Sequence, residues 1–571
     1  MRVYSPLTTA DLFSEKDRAN RSFAELAREY ESFDSHYREL SEFVDPRRGR
    51  FFLQDRNKGT KRHKNIYNNH ATVALRKATA GMLAGSMSPA QPWFTFDLFD
   101  KEVLHDPEVA QWLTLLQTVL FAVFRESNFY QMAPVTIREL LLFGTGALMH
   151  EDDFEDVARF YNISAGSYFI GQNSKMQVNR IAREYQLTTL QMVARFGRNN
   201  VSQPVKDAYD RSNYGNWFTV RHLIELNPFR DGDEERFDAS RAKFSSLYWE
   251  PGTERGPGAD RGKFLRRSGY KGFPVYVPRW ELVNEDVYGV NCPGMTALGD
   301  VKALQKLERE KAKAIEKHNT PPLQGPPSMA NQPIRNLPGG FTIVTSNSAK
   351  VEKLYDVDPR IQEMLMDVKE HERRIDAAWF VDMFMAITDM EGVQPKNQME
   401  LAQRDSERLL QIGPALQQVH GEWLGRMVSR TTQQVLDAKI LPPAPEKLQG
   451  RELEVQFTSP LAVAQQQIGL KGMEATLFFA GTLQEQGLEI GDRIDGDYAL
   501  DEYARLNGAP PKLLRSVDDV TEAREKKKGM MEMQQGMDMV GGGAGVAKML
   551  GDAKMGEGNA LDSVVGAAGG E

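Results

Sequence analysis

The densest run of groups able to hold a metal ion or trade a proton is His150-Glu151-Asp152-Asp153, followed by Glu155 and Asp156. A carboxylate centre needs a further ligand group at fixed spacing. Nothing upstream supplies one, so the run reads as a solvated acidic turn. Asp492 to Asp501 has the look of a calcium loop, yet it places Ile494 where an oxygen ligand is required. Gly144-Thr145-Gly146 is a short glycine pair that reads as a bend between helix and strand and not as a phosphate cradle. No phosphate loop ending in Gly-Lys-Ser/Thr, no paired-cysteine pattern and no His-Glu-x-x-His pattern occurs. With one cysteine and nine histidines, spacing nominates no nucleophile triad. The sequence gives an enzyme no support and calls for no cofactor or metal.

A basic stretch offers different chemistry. Arg47, Arg48, Arg50, Arg56, Lys58, Lys61, Arg62 and Lys64 are interleaved with Phe51, Phe52 and Tyr67, types that pair with phosphates and stack on bases. The same residues also make a solvated loop whose aromatics anchor it to the body, which is the preferred reading for a charge run. A net charge of −8 argues against a global nucleic-acid-binding surface and leaves room for local basic patches.

The elements that must position these groups are mostly helical. A chain of 571 residues is long enough for several domains. Its mean hydropathy of −0.50 describes a soluble protein with many polar helices. No run of about eighteen apolar residues and no signal-peptide pattern is visible, so synthesis in the cytosol and no membrane contact are expected. The lone Cys292 excludes an intrachain disulfide and leaves stability to packing or assembly.

Spacing predicts a helix from Ser14 to Val44, with Leu26, Tyr30, Phe33, Tyr37 and Leu40 on one side, and another from Tyr67 to Met87, rich in Ala and Gly. Trp93 to Leu98 reads as a strand, and Pro107 to Ser127 and Pro134 to Phe143 as buried helices. Strands are expected at Gly146 to His150, Ser167 to Gly171, Met176 to Glu184, Phe218 to Leu226, Phe244 to Trp249 and Phe264 to Val277, with a helix at Thr188 to Phe196. Later come helices at Met399 to Ile412 and Pro414 to Ala438, a strand at Arg451 to Phe457, and mostly helix from Pro460 to about Val540. Beyond Gly541 the Gly-, Ala- and Met-rich tail is expected to be disordered.

Two polar helices bracket a proline- and glycine-rich insert. The first is expected from Asp300, its cap, to His318, ended by Asn319-Thr320-Pro321-Pro322; the second from Asp358-Pro359 to Ile387. They would be roughly 27 and 42 Å long. Val301, Leu304, Leu307, Ala314 and Ile315 form a narrow apolar stripe on the first, and Ile361, Met364, Leu365, Val368, Ile375, Ala378, Trp379 and Met383 a broader one on the second. Such a pair is either a helical hairpin on a globular domain or one member of a ring of pairs packed side to side.

Phe43-Val44-Asp45-Pro46-Arg47-Arg48-Gly49-Arg50-Phe51, then Asn68-Asn69-His70-Ala71, Leu83-Ala84-Gly85-Ser86-Met87-Ser88-Pro89 and Pro92-Trp93-Phe94 form an ordered set of patterns. It continues in Tyr288-Gly289, Cys292-Pro293-Gly294, Ala297-Leu298-Gly299-Asp300-Val301-Lys302-Ala303-Leu304, Pro321-Pro322-Leu323 and Pro338-Gly339-Gly340. Over residues 25–460 the chain thereby resembles the portal, or head-to-tail connector, proteins of short-tailed bacteriophages. After Pro460 it matches no such pattern.

The resemblance implies an α+β, predominantly helical subunit of wing, stem, clip and crown type, in a ring usually of twelve. The wing would be 1–293 with 399–459, the stem 294–318 and 359–387, the clip 319–358, the channel loop 388–398, the crown 460–540 and the disordered tail 541–571. It implies a ring at one capsid vertex of the virion that conducts double-stranded DNA inward at packaging and outward at ejection. Implied partners are the terminase large subunit on the clip, then tail adaptor proteins, with the major capsid and scaffolding proteins around it. Pro321, Pro322, Leu323, Arg335, Pro338, Gly339 and Gly340 would serve clip docking. A conduit must hold its cargo weakly, because each phosphate neutralised adds salt-dependent affinity. Lys396, Lys302, Lys306, Arg309, Lys313 and Lys317 are the candidate sparse contacts, or else the last five pair between subunits. The alternatives are a virion ring or adaptor that carries no DNA, and a hydrolase.

Overall fold

The computed structural model describes residues 9–51, 61–104, 106–153, 156–227, 242–252, 263–327, 351–354, 360–384, 411–462, 476–483 and scattered positions from 494 to 529. The chain divides into two units, Met1–Leu488 and Glu489–Glu571. Every element named below belongs to the first. In the second, Asp497 accepts a hydrogen bond from the Arg524 guanidinium at 2.7 Å. The channel loop 388–398, the tail 541–571 and most of 460–540, including half of the run Asp492 to Asp501, lie outside the described residues.

In chain order the elements are α1 (Thr9–Phe43), α2 (His70–Met87), β1 (Phe94–Asp97), α3 (Lys101–Leu104), α4 (Pro107–Glu126), α5 (Phe129–Phe143), β2 (Leu148–Asp153) and β3 (Val157–Asn162). Then follow β4 (Tyr168–Gln172), β5 (Val178–Thr188), α6 (Thr189–Phe196), α7 (Gln203–Asp210), β6 (Trp217–Leu226), β7 (Phe244–Trp249), β8 (Arg266–Tyr270) and β9 (Val275–Tyr276). The remainder are α8 (Pro293–Asn319), β10 (Leu323–Gln324), β11 (Glu352–Lys353), α9 (Ile361–Ala378), α10 (Gly425–Asp437) and β12 (Glu454–Phe457).

The mixed helix and strand body agrees with the sequence reading. β4 to β8 form an antiparallel sheet in sequence order, and β2 pairs with β3 and β9 in a second sheet. β7 is buried along its whole length because helices cover both sheet faces. α1 supplies Phe23 and Leu26 against Ala182, Leu223 and Trp249. On the other side Met192, Phe196 and Val205 of α6 and α7 pack on Val220 and Tyr248. β1 pairs antiparallel with β12, Phe94 opposite Phe457, so the chain returns after residue 411 to the helical core begun by α2, α4 and α5. Among the described residues one helix, α4, is long and apolar enough to cross a membrane. Its apolar side, from Val109 to Phe124, is buried in the protein core, and Trp112 donates to the Pro442 carbonyl at 3.0 Å.

Several expectations are corrected. The first bracketing helix starts seven residues before Asp300, with Cys292 as the capping residue and Pro293 in the first turn. Gly294 permits this start, since a Cβ there would lie 2.3 Å from the Leu142 carbonyl oxygen. The regular part of the second ends at Ala378 and not Ile387; Trp379 and Phe380 make a turn, Phe380 with a φ of 54° in the left-handed region, before helix resumes at 381–384. Asp358 and Pro359 lie outside the described residues. Pro134 sits inside α5, which begins at Phe129, instead of opening it. Helix runs unbroken through 411–437 past Gly413-Pro414, where a break was expected, and widens to a π turn at His420–Leu424, while 399–410 lie outside the described residues. Phe264 to Val277 holds two strands in different sheets. The strand β3 and the helix α7 were not foreseen.

Candidate functional site

α8 and α9 are antiparallel neighbours of about 40 and 27 Å. The proximal half of the pair is seated in the core by Val301, Leu304, Val368, Ile375 and Trp379. Asp300 does not cap α8: its carboxylate reaches across to α9, 2.8 Å from Nδ1 of His371 and 3.8 Å from Arg374. The stretch before α2 clamps both helices. Gln305 Oε1 accepts from the amides of Tyr67 at 2.6 Å and Asn68 at 2.9 Å, and its Nε2 donates to the Asn68 carbonyl at 2.8 Å. Asn68 Nδ2 then donates to Glu308 on α8 and Glu372 on α9, while His70 Nε2 lies 2.9 Å from Asp376.

Beyond this clamp, among the described residues, several apolar positions of the pair stand open. Ile315 is 37% exposed, Ile361 36%, Leu365 42% and Met366 68%. The two apolar stripes read from the sequence therefore run on past the core into open surface. Charge is divided between the helices: α8 carries six Lys/Arg against four Asp/Glu, and α9 three against five.

Of the candidate cationic contacts, Lys302 is engaged, 2.6 Å from Glu39 and over the Phe43 ring. Lys306 lies 3.9 Å from Glu310 on its own helix, and Arg309 stacks 6.0 Å from the Tyr67 ring centre. Lys313 and Lys317 are exposed on the distal half. Pro321 and Pro322 follow the α8 capping residue Thr320, and the Leu354 amide donates to the Pro322 carbonyl at 2.9 Å. Leu323 in β10 pairs with Lys353 in β11, so a short ladder crosses the base of the insert. Lys396, Arg335, Pro338, Gly339 and Gly340 lie outside the described residues.

The residues whose types suit catalysis have structural roles. Four acids at the β2–β3 turn meet an arginine, Glu151 with Arg195, Asp152 with Arg430, and Asp153 and Asp156 with Arg159, while Glu155 lies outside the described residues. Gly144 caps α5 with a φ of 76°, and a Cβ on it would meet the Gly289 carbonyl oxygen at 2.5 Å. Burial pushes the Cys292 thiol up to about 12, so it is an inert core group. Of the basic stretch, Phe51 packs on Phe143, and Arg48 lies 3.9 Å from the buried Glu139.

Sequence reasoning missed a buried ion pair. Arg279, fully buried, donates from Nε to Glu422 at 3.0 Å, from Nη1 to Gln172 at 2.9 Å and from Nη2 to the Met176 carbonyl at 2.6 Å. It ties the β4–β5 hairpin to the π turn, over separations no local pattern encodes.

A family model described as bacteriophage head to tail connecting protein matches residues 16–514. A "Probable portal protein" of Bordetella phage BPP-1 is 36% identical over 545 residues, 95% of this chain and 96% of the relative. The "Portal protein" of Salmonella phage epsilon15 is 34% identical over 558 residues, 97% and 99% of the two chains. A solved structure described as "Neck of empty GTA particle computed with C6 symmetry" covers 82% of this chain and 98% of its own, at 12% identity and a TM-score of 0.32, too low to establish a shared arrangement.

Proposed function

The chain belongs to the bacteriophage head to tail connecting protein family, and from that premise we propose that it is the portal subunit of a DNA-packaging vertex. It is a structural component of the virion at the head–tail connection and not an enzyme. Near-complete mutual coverage by two phage portal proteins carries this reading. Copies assemble as a ring, with twelve subunits the number its family resemblance favours. Double-stranded DNA passes through the ring at packaging and again at ejection.

α8 and α9 serve as the stem, and 319–358 as the clip on which the terminase large subunit and later a tail adaptor dock. The wing is 1–293 with 399–459, the crown 460–540. Support for the stem comes from the uncovered apolar positions of its distal half, which a neighbouring pair would bury. The basic bias of α8 and the acidic bias of α9 suit packing of one subunit's α8 beside the next subunit's α9. Lys306, Lys313 and Lys317 remain the stem candidates for DNA contact, because Lys302 is held by Glu39 and Arg309 lies over the Tyr67 ring. Lys396 would supply the contact in the channel loop 388–398.

Negative-stain imaging with light scattering on the full chain tests the assembly, and a ring with a central hole is expected. Lys396→Glu in phage is expected to shorten or destabilise packaged DNA while rings still form. A ring whose variant packages and retains full-length DNA would favour a connector without a DNA-contacting loop at that position. A monomer without a hole under all conditions would overturn the assembly reading.

A further inference from the structure

The five-stranded sheet carries a row of chemistry unrelated to the stem. In register across four strands stand Arg183 of β5, His222 of β6, Tyr248 of β7 and Arg266 of β8. The His222 and Tyr248 rings stack, 3.7 Å between centres and 8° between planes. Arg183 Nε donates to His222 Nδ1 at 2.9 Å, which fixes the tautomer and leaves Nε2–H for the Ser246 hydroxyl at 2.8 Å. Arg195, from α6, lies over the same Tyr248 ring at 5.6 Å. Arg183 is also over Tyr185 at 5.0 Å.

Three guanidinium groups thus gather about a neutral imidazole. Burial, then Arg183, Arg195 and Arg266 in turn, hold the His222 pKa well below its ordinary value, so the ring adds no fourth charge. The counter-charge is thin. Glu151 approaches Arg195 at 3.8 Å, beyond hydrogen-bond reach, and Asp152 is taken by Arg430 at 3.0 Å. Among the described residues neither Arg183 nor Arg266 forms an ion pair. Arg266 is exposed, and the Arg195 side chain is 37% exposed, so the cluster opens to solvent.

A surplus of guanidinium charge, with Arg183 and Arg195 braced on aromatic faces, matches a tetrahedral dianion better than a single carboxylate, since each fork presents paired donors. We propose that this row is an anion site that takes a phosphate group, either free phosphate or a phosphodiester of nucleic acid. The site is complete within one subunit, so it does not depend on the ring or on channel transport.

Two arms on the full-length protein test it. In the first, melting is followed with added inorganic phosphate against chloride and acetate at matched ionic strength. In the second, binding of a labelled short DNA duplex is followed by anisotropy across a salt series. Wild type is expected to melt higher in phosphate. The Arg195→Ala/Arg266→Ala pair, both at exposed positions, is expected to lose that rise, and Arg195→Lys/Arg266→Lys to keep part of it. If the phosphodiester is the ligand, duplex affinity of the alanine pair falls about tenfold, with a salt slope lower by about 0.9 for each phosphate contact removed. Unchanged duplex binding with a lost phosphate response assigns the site to free phosphate. A response to acetate equal to that to phosphate, or alanine variants that match wild type in both arms, overturns the proposal; ring size in the same samples reports separately on assembly.

Discussion

Two buried ionisable groups in this subunit pull stability in opposite directions with pH. Glu139 is fully buried in α5, where desolvation outweighs the attraction of Arg48 and pushes its carboxyl up to about 7. A raised folded pKa means the unfolded chain gives up its proton first. The contribution is present below about pH 4.5 and is lost as pH rises through about 7. Glu139→Gln keeps an acceptor for the Ala165 amide. In melts from pH 4 to 8 it should gain on wild type as pH rises, by at most about 3 kcal/mol above neutrality. His420 has the reverse sign: burial lowers its pKa to about 4, and its ring stacks 3.9 Å from Phe457. Its neutral form supports the fold above about pH 6.5, and that support is lost as pH falls toward 4. His420→Phe should therefore flatten the acid side of the same profile; parallel wild-type and variant curves would show that neither group titrates as buried. Neither signal was legible in the sequence, because an isolated Glu or His carries no mark of burial.

At the scale of elements, two helices bracketing a proline-rich insert were visible from periodicity, but their bounds and seating were not. Asp300 has the type of a cap, yet the chain enters the helix earlier because Pro293 supplies a preset φ and Gly294 fits against Leu142. Asp300 is thereby freed to reach His371. The clamp from Asn68 and Gln305 depends on pairs more than two hundred residues apart in sequence, beyond any local pattern. Its weight can be measured. Gln305→Leu leaves two amides and a carbonyl without partners and should cost about 2 kcal/mol or more. His70→Ala, which removes only a part-exposed contact with Asp376, should cost less than about 1 kcal/mol. Thermal melts of both variants check the order; a reversed order would place the main tie at His70.

For the whole molecule, the distal helix pair is where the single subunit is incomplete. Leu365 and Met366 face open surface on α9. Leu365→Lys/Met366→Glu should leave the subunit's far-ultraviolet dichroism and melting nearly unchanged, since exposed positions contribute little to the monomer. The same change should reduce the ring fraction seen by light scattering at least tenfold; intact rings would mean that assembly rests on other surfaces. The sequence by itself determined that helices dominate, that two polar ones with apolar stripes bracket a proline-rich insert, that no catalytic constellation is present, and that the ordered motifs are those of a phage connector. Those properties are local, carried by spacing, proline and glycine placement and short contiguous patterns. Only the tertiary structure decided where the stripes leave the core, which cations are already paired, and that Arg279 meets Glu422 or that Arg183, His222, Tyr248 and Arg266 align. These are juxtapositions across strands and between distant segments, set by sheet register and packing of the folded chain.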